Sequence, residues 1–412
     1  MSKQTVIDAH PMGTESLRSS PLSLTNENGS GGRFTTLLEQ AAQEILAVTY
    51  WFEPAQRPDR YDVTIRFVGH RVGVVGKCHA GDQFVHDETI AQVVPGSGPI
   101  ALTARIRGVN AGEWLVTARE LGSGSAHQVR RVRNWRQVST SPAPEPHGRA
   151  MRLWQRWAPT AAPTEASAIP IRTRSAPFVH VPGTLPLIWV TMVALGMALA
   201  LLIQSLVMAS AHLGVRPVWA ISLAAIAVGV VGAKAWFILK HRTERRFEGW
   251  CIQGFIVGAS VTAAILLAMS PVQVGVYLDA TTPGLLLGLA VGRVGCFFAG
   301  CCSGPLTASR WGVWSSDQRV GARRIPTQLM ESALALFLGL AALVELLSHG
   351  AASGAFFVAG LAAYTLGRQG ILRLRTEPSE TRWGAPATAV ASAIALVVSV
   401  ALLVQCHIHP TA

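Results

Sequence analysis

The sequence predicts an all-α membrane protein, a bundle of seven transmembrane helices, preceded by a small, all-β, sandwich-like soluble domain. Three observations support this fold class. Half of the 412 residues are apolar and only 14% are charged, whereas roughly a quarter of the residues of a soluble protein carry charge. Most of the charge precedes Pro186. After Pro186 the apolar runs reach about twenty residues, the length at which a helix crosses the hydrocarbon core of a bilayer.

The first segment, residues 1–43, is polar, with Ser, Gly, Thr and Asn throughout. This composition predicts a disordered leader. The segment has no apolar core of the kind that marks a secretory signal peptide, so we expect none.

The second segment, residues 44–138, alternates between apolar and polar side chains in short runs, as half-buried strands do. The clearest runs are Val48–Phe52, Tyr61–Val68, Ile100–Ile106 and Trp114–Arg119. Turn-forming clusters such as Pro95–Pro99 separate them. A spacing of about ten residues between runs predicts a small antiparallel sandwich.

The third segment, residues 139–186, is rich in Pro, Ala and Arg, and its composition predicts a linker. It contains the basic aromatic run Arg149–Trp157. Trp and Arg side chains suit the lipid headgroup region, so this run either rests on the membrane surface or is a solvated part of the linker.

The last segment, residues 187–412, contains the apolar runs, in which small residues recur as close helix packing in lipid favours. The predicted helices are Leu187–Ser210, Pro217–Leu239, Cys251–Met269, Val276–Phe298, Thr327–Leu347, Gly354–Leu372 and Pro386–Gln405. The six cysteines form no CxxC pair and no metal-like spacing with histidine. We therefore predict no disulfide framework, no metal site and no cofactor.

The net charge of +12 has three possible explanations: nucleic acid, anionic lipid, or basic loops that set membrane topology. No nucleic-acid-binding motif accompanies the charge, so nucleic acid is not an expected partner. The basic loops lie on the side of the bundle that also carries the N-terminal domain. The positive-inside rule would place that side in the cytoplasm.

Five ionisable residues lie inside or at the edge of predicted membrane helices, where charge is costly and usually functional. They are Lys234, Asp279, Arg293, Arg324 and Glu331. Structural roles compete with function: Lys234 and Arg293 could pair within the bundle, Asp279 could cap a helix, and Arg324 could be a loop-end charge. Glu331 is the strongest functional candidate, because it lies one turn into a helix. Arg324 would share its helical face only if that helix began as early as Arg324.

Five ordered motifs in the membrane half resemble those of one family. They are Gly232-Ala-Lys234, Asp279 with Pro283, Gly292-Arg-Val-Gly-Cys-Phe-Phe-Ala-Gly-Cys-Cys-Ser-Gly304, Arg324-Ile-Pro-Thr-Gln-Leu-Met-Glu331, and Tyr364 with Arg368 and Arg375. Together they resemble the prolipoprotein diacylglyceryl transferase family, whose signature runs Gly-Arg-x-Gly-Asn-Phe-x-Asn-Gly-Glu-x-x-Gly. The resemblance covers roughly Pro186 to the C-terminus and includes the number of helices.

This resemblance implies that a diacylglyceryl group passes from phosphatidylglycerol to the lipobox cysteine of a prolipoprotein, in a multi-pass protein of the bacterial plasma membrane. It implies that Arg293 and Arg324 hold the lipid phosphate, for which arginine forks are suited, and that Glu331 orients one of them. The substrate-binding positions it implies are Lys234, Asp279, Gly295, Cys296, Gly304, Arg368 and Arg375. The family also places the N-terminus outside the membrane, opposite to the charge rule.

The chain departs from the family at its proton-handling positions. Gln253 stands in place of a histidine, and an amide is not a base at neutral pH. The Asn and Glu of the family signature are Cys296 and Cys301, and the acid between the two arginines of the sixth helix is Leu372. Gln253 and Cys301 remain candidate catalytic positions with altered chemistry. Cys301 could be a thiolate or acyl carrier beside Arg293, or a small packing residue.

Three functions are therefore open at this stage. The first is a lipid-transferring enzyme with an altered base or acceptor. The second is a catalytically silent relative that binds anionic phospholipid and presents the N-terminal domain to a partner. A transporter or channel is the third, and the lack of paired half-repeats argues against it.

Overall fold

The computed structural model describes residues 45–74, 79–121, 171–175, 181–212, 214–240, 249–349, 353–375 and 384–408. Within these ranges the apolar half forms the helices α1 Ile188–Ser210, α2 Val215–Lys240, α3 Ile252–Ala268, α4 Val274–Ala299, α5 Thr327–His349, α6 Ala355–Leu372 and α7 Gly384–Ile408. They begin and end within a few residues of the predicted helices, because the thickness of the bilayer sets the length of a spanning helix.

Six of these helices are long and apolar enough to cross a membrane. The remaining one, α3, has 17 residues, which corresponds to about 26 Å of helix against a hydrocarbon core about 30 Å thick. An all-α membrane bundle of six to seven apolar helices is confirmed. Seven complete crossings stay a prediction.

Glycines allow the closest contacts between the helices. A Cβ added to Gly196 of α1 would lie 2.5 Å from the carbonyl oxygen of Gly288 on α4, and one added to Gly232 of α2 would lie 2.5 Å from that of Gly254 on α3. Backbones that approach this closely are how helices associate in lipid. The apolar window of α4 is 56% buried, against 6% for α7. Helix α4 is therefore the centre of the bundle, and α7 lies at its edge.

In the described residues the soluble domain consists of two antiparallel sheets of four strands each, and two of these strands come from the membrane half of the chain. The strands are β1 Leu46–Phe52, β2 Tyr61–Arg71, β3 Gln83–Val93, β4 Ile100–Ile106, β5 Glu113–Leu121, β6 Ile171–Arg174, β7 Val313–Ser316 and β8 Val320–Arg324. The order is β1-β4-β8-β7 in one sheet and β3-β2-β5-β6 in the other. Their inner faces share one core, in which Ile65, Phe67 and Trp114 are fully buried.

The four strands read from the sequence are confirmed as β1, β2, β4 and β5, and three other strands lie outside the segment predicted for the sandwich. Strand β6 lies in the predicted linker, and β7 and β8 lie between α4 and α5. Each has only four or five residues, too few for an alternation to be recognised. The predicted leader and the Arg149–Trp157 run lie outside the described residues.

The hairpin of β7 and β8 joins the two halves of the chain. Strand β8 pairs with β4, and Val320 and Ala322 are buried in the sandwich core. On β7, the ring of Trp314 stacks on that of Trp51 with centroids 5.7 Å apart. A loop of the membrane half thus completes a sheet of the soluble half, and the described residues of both halves belong to one compact unit.

Candidate site at the end of the helix bundle

Four charged side chains meet at one end of the bundle. Arg293 lies near the C-terminal end of α4, Glu331 lies in the first turns of α5, and Arg368 and Arg375 lie at and just beyond the C-terminal end of α6. Because α4 and α6 end where α5 begins, residues far apart in the sequence come together here.

Glu331 is the centre of this cluster and is fully buried. Its Oε2 lies 2.8 Å from Nε of Arg293, and its Oε1 lies 2.6 Å from Nη2 of Arg375 and 3.9 Å from Nε of Arg368. Three guanidinium groups against one carboxylate leave a formal surplus of two positive charges. The carboxylate fixes the orientation of the arginines, and the surplus charge favours an anion with phosphate geometry.

Exposure differs among the three arginines. The side chain of Arg368 is 36% exposed, against 12% for Arg293 and 8% for Arg375. The buried side chain of Tyr364, one turn before Arg368 on α6, lies beside Arg293. A ligand would therefore meet Arg368 first and the other two guanidinium groups deeper in the cluster.

Arg324 belongs to a separate set of contacts. It ends strand β8, is buried, and places Nη2 at 2.6 Å from Oδ2 of Asp317. Its Nη1 donates a hydrogen bond of 3.1 Å to the carbonyl oxygen of Gly304. Helix α5 begins at Thr327, so the helical face that Arg324 was to share with Glu331 does not form. The two arginines expected to hold one phosphate have different carboxylate partners.

The turn after α4 is fixed by its backbone. Gly300 ends the helix with φ 72°, in the left-handed region that favours glycine. The carbonyl oxygen of Cys301 accepts a hydrogen bond of 2.8 Å from Nε2 of Gln328, and that of Cys302 accepts one of 3.1 Å from the hydroxyl of Thr327. The start of α5 therefore holds both cysteines in place.

Two glycines predicted to bind substrate lie in tight packing contacts. A Cβ added to Gly295 would lie 2.6 Å from Cβ of Met192 on α1, and one added to Gly304 would collide with the carbonyl oxygen of Ile325. Because neither glycine has a side chain, α1 can pack closely against Gly295 and the segment before α5 can pack closely against Gly304.

Three thiols, those of Cys296, Cys301 and Cys302, lie together beside the arginine cluster and hydrogen-bond one another. Hydrogen bonds with Cys296 and Cys302, together with burial, raise the pKa of Cys301. Hydrogen bonds with Cys296 and Cys301, followed by the charges of Arg375 and Arg293, lower the pKa of Cys302. Cys302 is thus the better thiolate of the two. Across the described ranges no group of three His, Cys, Asp or Glu side chains is arranged for a metal ion.

Lys234 and Gln253 lie on the adjacent helices α2 and α3. Nζ of Lys234 donates a hydrogen bond of 3.3 Å to the carbonyl oxygen of Gly249 and lies 5.2 Å from the ring centroid of Trp250. Gln253 is exposed in the first turn of α3, and its Oε1 lies 3.9 Å from Sγ of Cys251. The contact that this structure gives Gln253 is thus to a thiol outside the arginine cluster.

Asp279 lies at the other end of the bundle from the arginines. It precedes Arg293 on α4 by fourteen residues, which separates the two by about 21 Å along the helix axis. It is fully buried, and its carboxylate accepts hydrogen bonds from the backbone N–H groups of Gly354 at 2.9 Å and Phe357 at 3.2 Å. Asp279 therefore caps the N-terminus of α6, and the structure does not bring it to the arginine cluster.

A model of the prolipoprotein diacylglyceryl transferase family matches residues 178–405, more than half of the chain. The chain belongs to the prolipoprotein diacylglyceryl transferase family. The family segment begins before α1 and ends within α7, so it includes the arginine cluster and the β7–β8 hairpin. Strands β1 to β6 precede it.

Individual relatives carry the name phosphatidylglycerol–prolipoprotein diacylglyceryl transferase. One from Dehalococcoides mccartyi is 36% identical over 106 residues, which are 25% of this chain and 41% of the relative. One from Clostridium perfringens is 34% identical over 96 residues, 23% and 38% of the two chains. One from a Nostoc species is 32% identical over 158 residues, 34% and 56%. The chain thus spans about two fifths to just over half of the length of these relatives.

Three residues that support the site were not predicted from the sequence. Asp317 pairs with Arg324 from a loop, where a single acid carries no pattern. Gln328 lies within a quoted motif, and its position one residue into α5 marked it as a side chain that could reach the preceding loop. Cys302 was named only within the Gly292–Gly304 motif, although two adjacent thiols near an arginine are a signal that one of them is the more acidic.

Proposed function

We propose that this protein transfers a diacylglyceryl group from phosphatidylglycerol to the thiol of a lipobox cysteine in a prolipoprotein, as a multi-pass protein of the bacterial plasma membrane. One observation carries the proposal beyond family membership. Arg293, Arg368 and Arg375 converge on the buried Glu331 and keep a surplus of positive charge at the end of a membrane bundle. Anionic lipid headgroups lie at that level of a membrane.

In the proposed reaction, the sulfur of the acceptor attacks the diacylglyceryl carbon that is bonded to the phosphate oxygen. A carbon–sulfur bond forms, the carbon–oxygen bond breaks, and glycerol phosphate leaves with the electron pair. The phosphate gains a second negative charge in this step, so fixed cations stabilise the transition state more than the bound lipid. Arg293 and Arg375 supply these cations, since Glu331 already orients both.

The proton of the acceptor thiol goes to the thiol cluster. Gln253 offers an amide, which does not accept a proton at neutral pH. The pKa of Cys302 is lowered by its two thiol neighbours and by nearby arginines. The acceptor thiol would lie beside the same guanidinium groups, which favour its thiolate form as well, so its proton passes to Cys302 as the carbon–sulfur bond forms.

The other predicted site residues take supporting roles in this scheme. Arg368, the most exposed arginine of the cluster, makes the first contact with the headgroup. Arg324 positions the motif loop through Gly304, and Asp279 stabilises the fold by capping α6.

The test is a transfer assay with purified protein, phosphatidylglycerol labelled in its acyl chains and a lipobox peptide. We expect label on the peptide thiol, a loss of about a hundredfold or more for Cys302→Ser, and near wild-type rates for Cys301→Ser. Cys251→Ser, a thiol outside the cluster, is the control. An unchanged rate in Cys302→Ser would remove this residue from proton transfer. No labelled peptide with the wild-type protein would contradict the activity itself.

One observation favours the second candidate, a silent phospholipid-binding relative. The side chain at the position of the family's histidine is an exposed amide, Gln253. Such a protein would bind phosphatidylglycerol vesicles in an Arg293-dependent manner and label no peptide, while its sandwich served as the docking module for a partner.

A further inference from the structure

The turn between β7 and β8 consists of Asp317, Gln318 and Arg319, which we call the junction turn. Oδ1 of Asp317 accepts hydrogen bonds from the backbone N–H groups of Arg319 at 3.0 Å and Val320 at 2.6 Å. Gln318 has φ 71°, a conformation that non-glycine residues adopt when surrounding contacts impose it. The turn is therefore held in one shape by its own aspartate.

Arg319 fastens the junction turn to both sheets of the sandwich. Its Nη1 lies 3.3 Å from Oε2 of Glu88, and its Nη2 donates a hydrogen bond of 3.1 Å to the carbonyl oxygen of Thr89. Its own carbonyl oxygen accepts a hydrogen bond of 2.8 Å from the backbone N–H of Thr103. Glu88 and Thr89 lie on β3 of one sheet, and Thr103 lies on β4 of the other.

The other two residues of the junction turn connect to the motif that carries the thiols, Gln318 directly and Asp317 through Arg324. Nε2 of Gln318 donates a hydrogen bond of 3.0 Å to the carbonyl oxygen of Ala299, the last residue of α4. Asp317 pairs with Arg324, which in turn donates to the carbonyl oxygen of Gly304. Ala299 and Gly304 flank the loop with Cys301 and Cys302, so the junction turn holds this loop at both ends.

We propose that the N-terminal sandwich is a positioning element of the site and that Arg319 is the positioning residue through which it acts. A chain of one ion pair and several hydrogen bonds leads from Glu88 on the sandwich through the junction turn to the loop that carries Cys301 and Cys302. Without Arg319, the turn keeps its internal bonds but loses its side-chain attachment to β3. The loop then samples more conformations, and the thiols are less well aligned. The effect on catalysis rests on the proposed function, whereas the effect on the loop does not.

The first measurement is the rate at which Cys301 and Cys302 are alkylated in the folded protein in detergent. Mass spectrometry of the peptide that contains both residues gives this rate. Loss of one partly exposed ion pair with one charged hydrogen bond should raise this rate about two- to tenfold in Arg319→Ala. Glu88→Gln should raise it less, and the double variant should be no faster than Arg319→Ala, since both changes remove one shared contact. Arg319→Lys should recover part of the protection.

The matched control is Arg66→Ala. Arg66 pairs with Asp87 at 2.6 Å between β2 and β3, next to Glu88 on the same strand. It belongs to the same sheet, and its ion pair does not involve the junction turn, so its loss reports general weakening of the sandwich. Equal acceleration in Arg66→Ala and Arg319→Ala would overturn the inference, as would wild-type alkylation in Arg319→Ala. Should Arg319→Ala fail to fold, the alkylation rate of Glu88→Gln alone tests the inference. Faster alkylation than in the wild type supports it, and an unchanged rate overturns it.

The second measurement is the transfer assay at varied phosphatidylglycerol. We expect Arg319→Ala to lower kcat with little change in KM, because the loop with the thiols is displaced while the arginine cluster stays on α4, α5 and α6. An increase in KM alone would overturn the positioning role. Absence of transfer in the wild type bears on the proposed function, and the alkylation result then still tests the inference.

Discussion

Glu331→Gln keeps the shape of a fully buried side chain and removes its negative charge. Arg293 and Arg375, now 2.8 Å and 2.6 Å from the carboxylate oxygens, would face each other and an amide that can neutralise neither. Removing one partner of a buried ion pair costs about 3–5 kcal/mol. Because two guanidinium groups lose their counter-charge at once, we expect a decrease in the free energy of unfolding near the upper end, about 5 kcal/mol.

The assay is a denaturant titration of the protein in detergent, followed by tryptophan fluorescence. Glu345→Gln is the matched control, since Glu345 lies on the same helix, is 53% exposed and pairs with the exposed His349 at 3.1 Å. Its loss should cost less than about 1 kcal/mol. Adding Arg375→Gln to Glu331→Gln should restore part of the stability, because it removes one stranded charge. Equal effects of the two glutamine variants would refute the account of Glu331 as the counter-charge of the cluster.

Transfer activity and topology give three more tests. Arg293→Lys keeps the charge and loses the planar fork, so transfer should fall about tenfold or more, whereas Arg310→Lys in an exposed loop should leave it unchanged; full activity of the first variant would remove Arg293 from the site. Gln253→His returns an imidazole to the family's position, and transfer should rise above the wild-type rate; no gain would detach this position from proton transfer. Cysteines at the exposed Ser309 and Ser348, in a background without native thiols, should react with an impermeant maleimide from opposite sides, and reaction of both from one side would contradict a membrane crossing by α5.

The helices and the longer strands could be predicted from sequence because each has a local pattern. Strand β8, Val320-Gly-Ala-Arg-Arg324, has no alternation to recognise. It becomes a strand because β4, more than two hundred residues earlier, offers its edge and because the sandwich core buries Val320 and Ala322. A pairing of this kind depends on where the bundle places the ends of α4 and α5, which no window of sequence contains.

The candidate site was predictable in its residues and less so in its pairing. The grouping of Arg293 and Glu331 followed from motifs, and the structure places them 2.8 Å apart. The sequence does contain a signal that Arg324 lies outside the helix of Glu331. Ile325 precedes Pro326, and a residue before proline avoids the helical region, so the helix is not expected to begin as early as Arg324. Asp279 was likewise too far from Arg293 along one helix to touch the same headgroup. The spacing of motifs gives the order of residues along the chain. Residues form one site only if the fold also brings them to the same end of the bundle.

The pairing of β4 with β8 also determines when the sandwich can be completed during synthesis of the chain. About 210 residues separate the end of β4 from the start of β8, so at typical translation speeds the ribosome makes the second strand roughly 10–45 s after the first. During that interval the outer edge of β4 is open, and an open edge is a template for pairing with other chains. Helices α1 to α4 lie between β4 and β8 in the chain, so all four are synthesised before the hairpin can reach this edge. The soluble half is therefore completed only after α1 to α4 have been synthesised, and a chain that ends within them keeps an unpaired β4 edge.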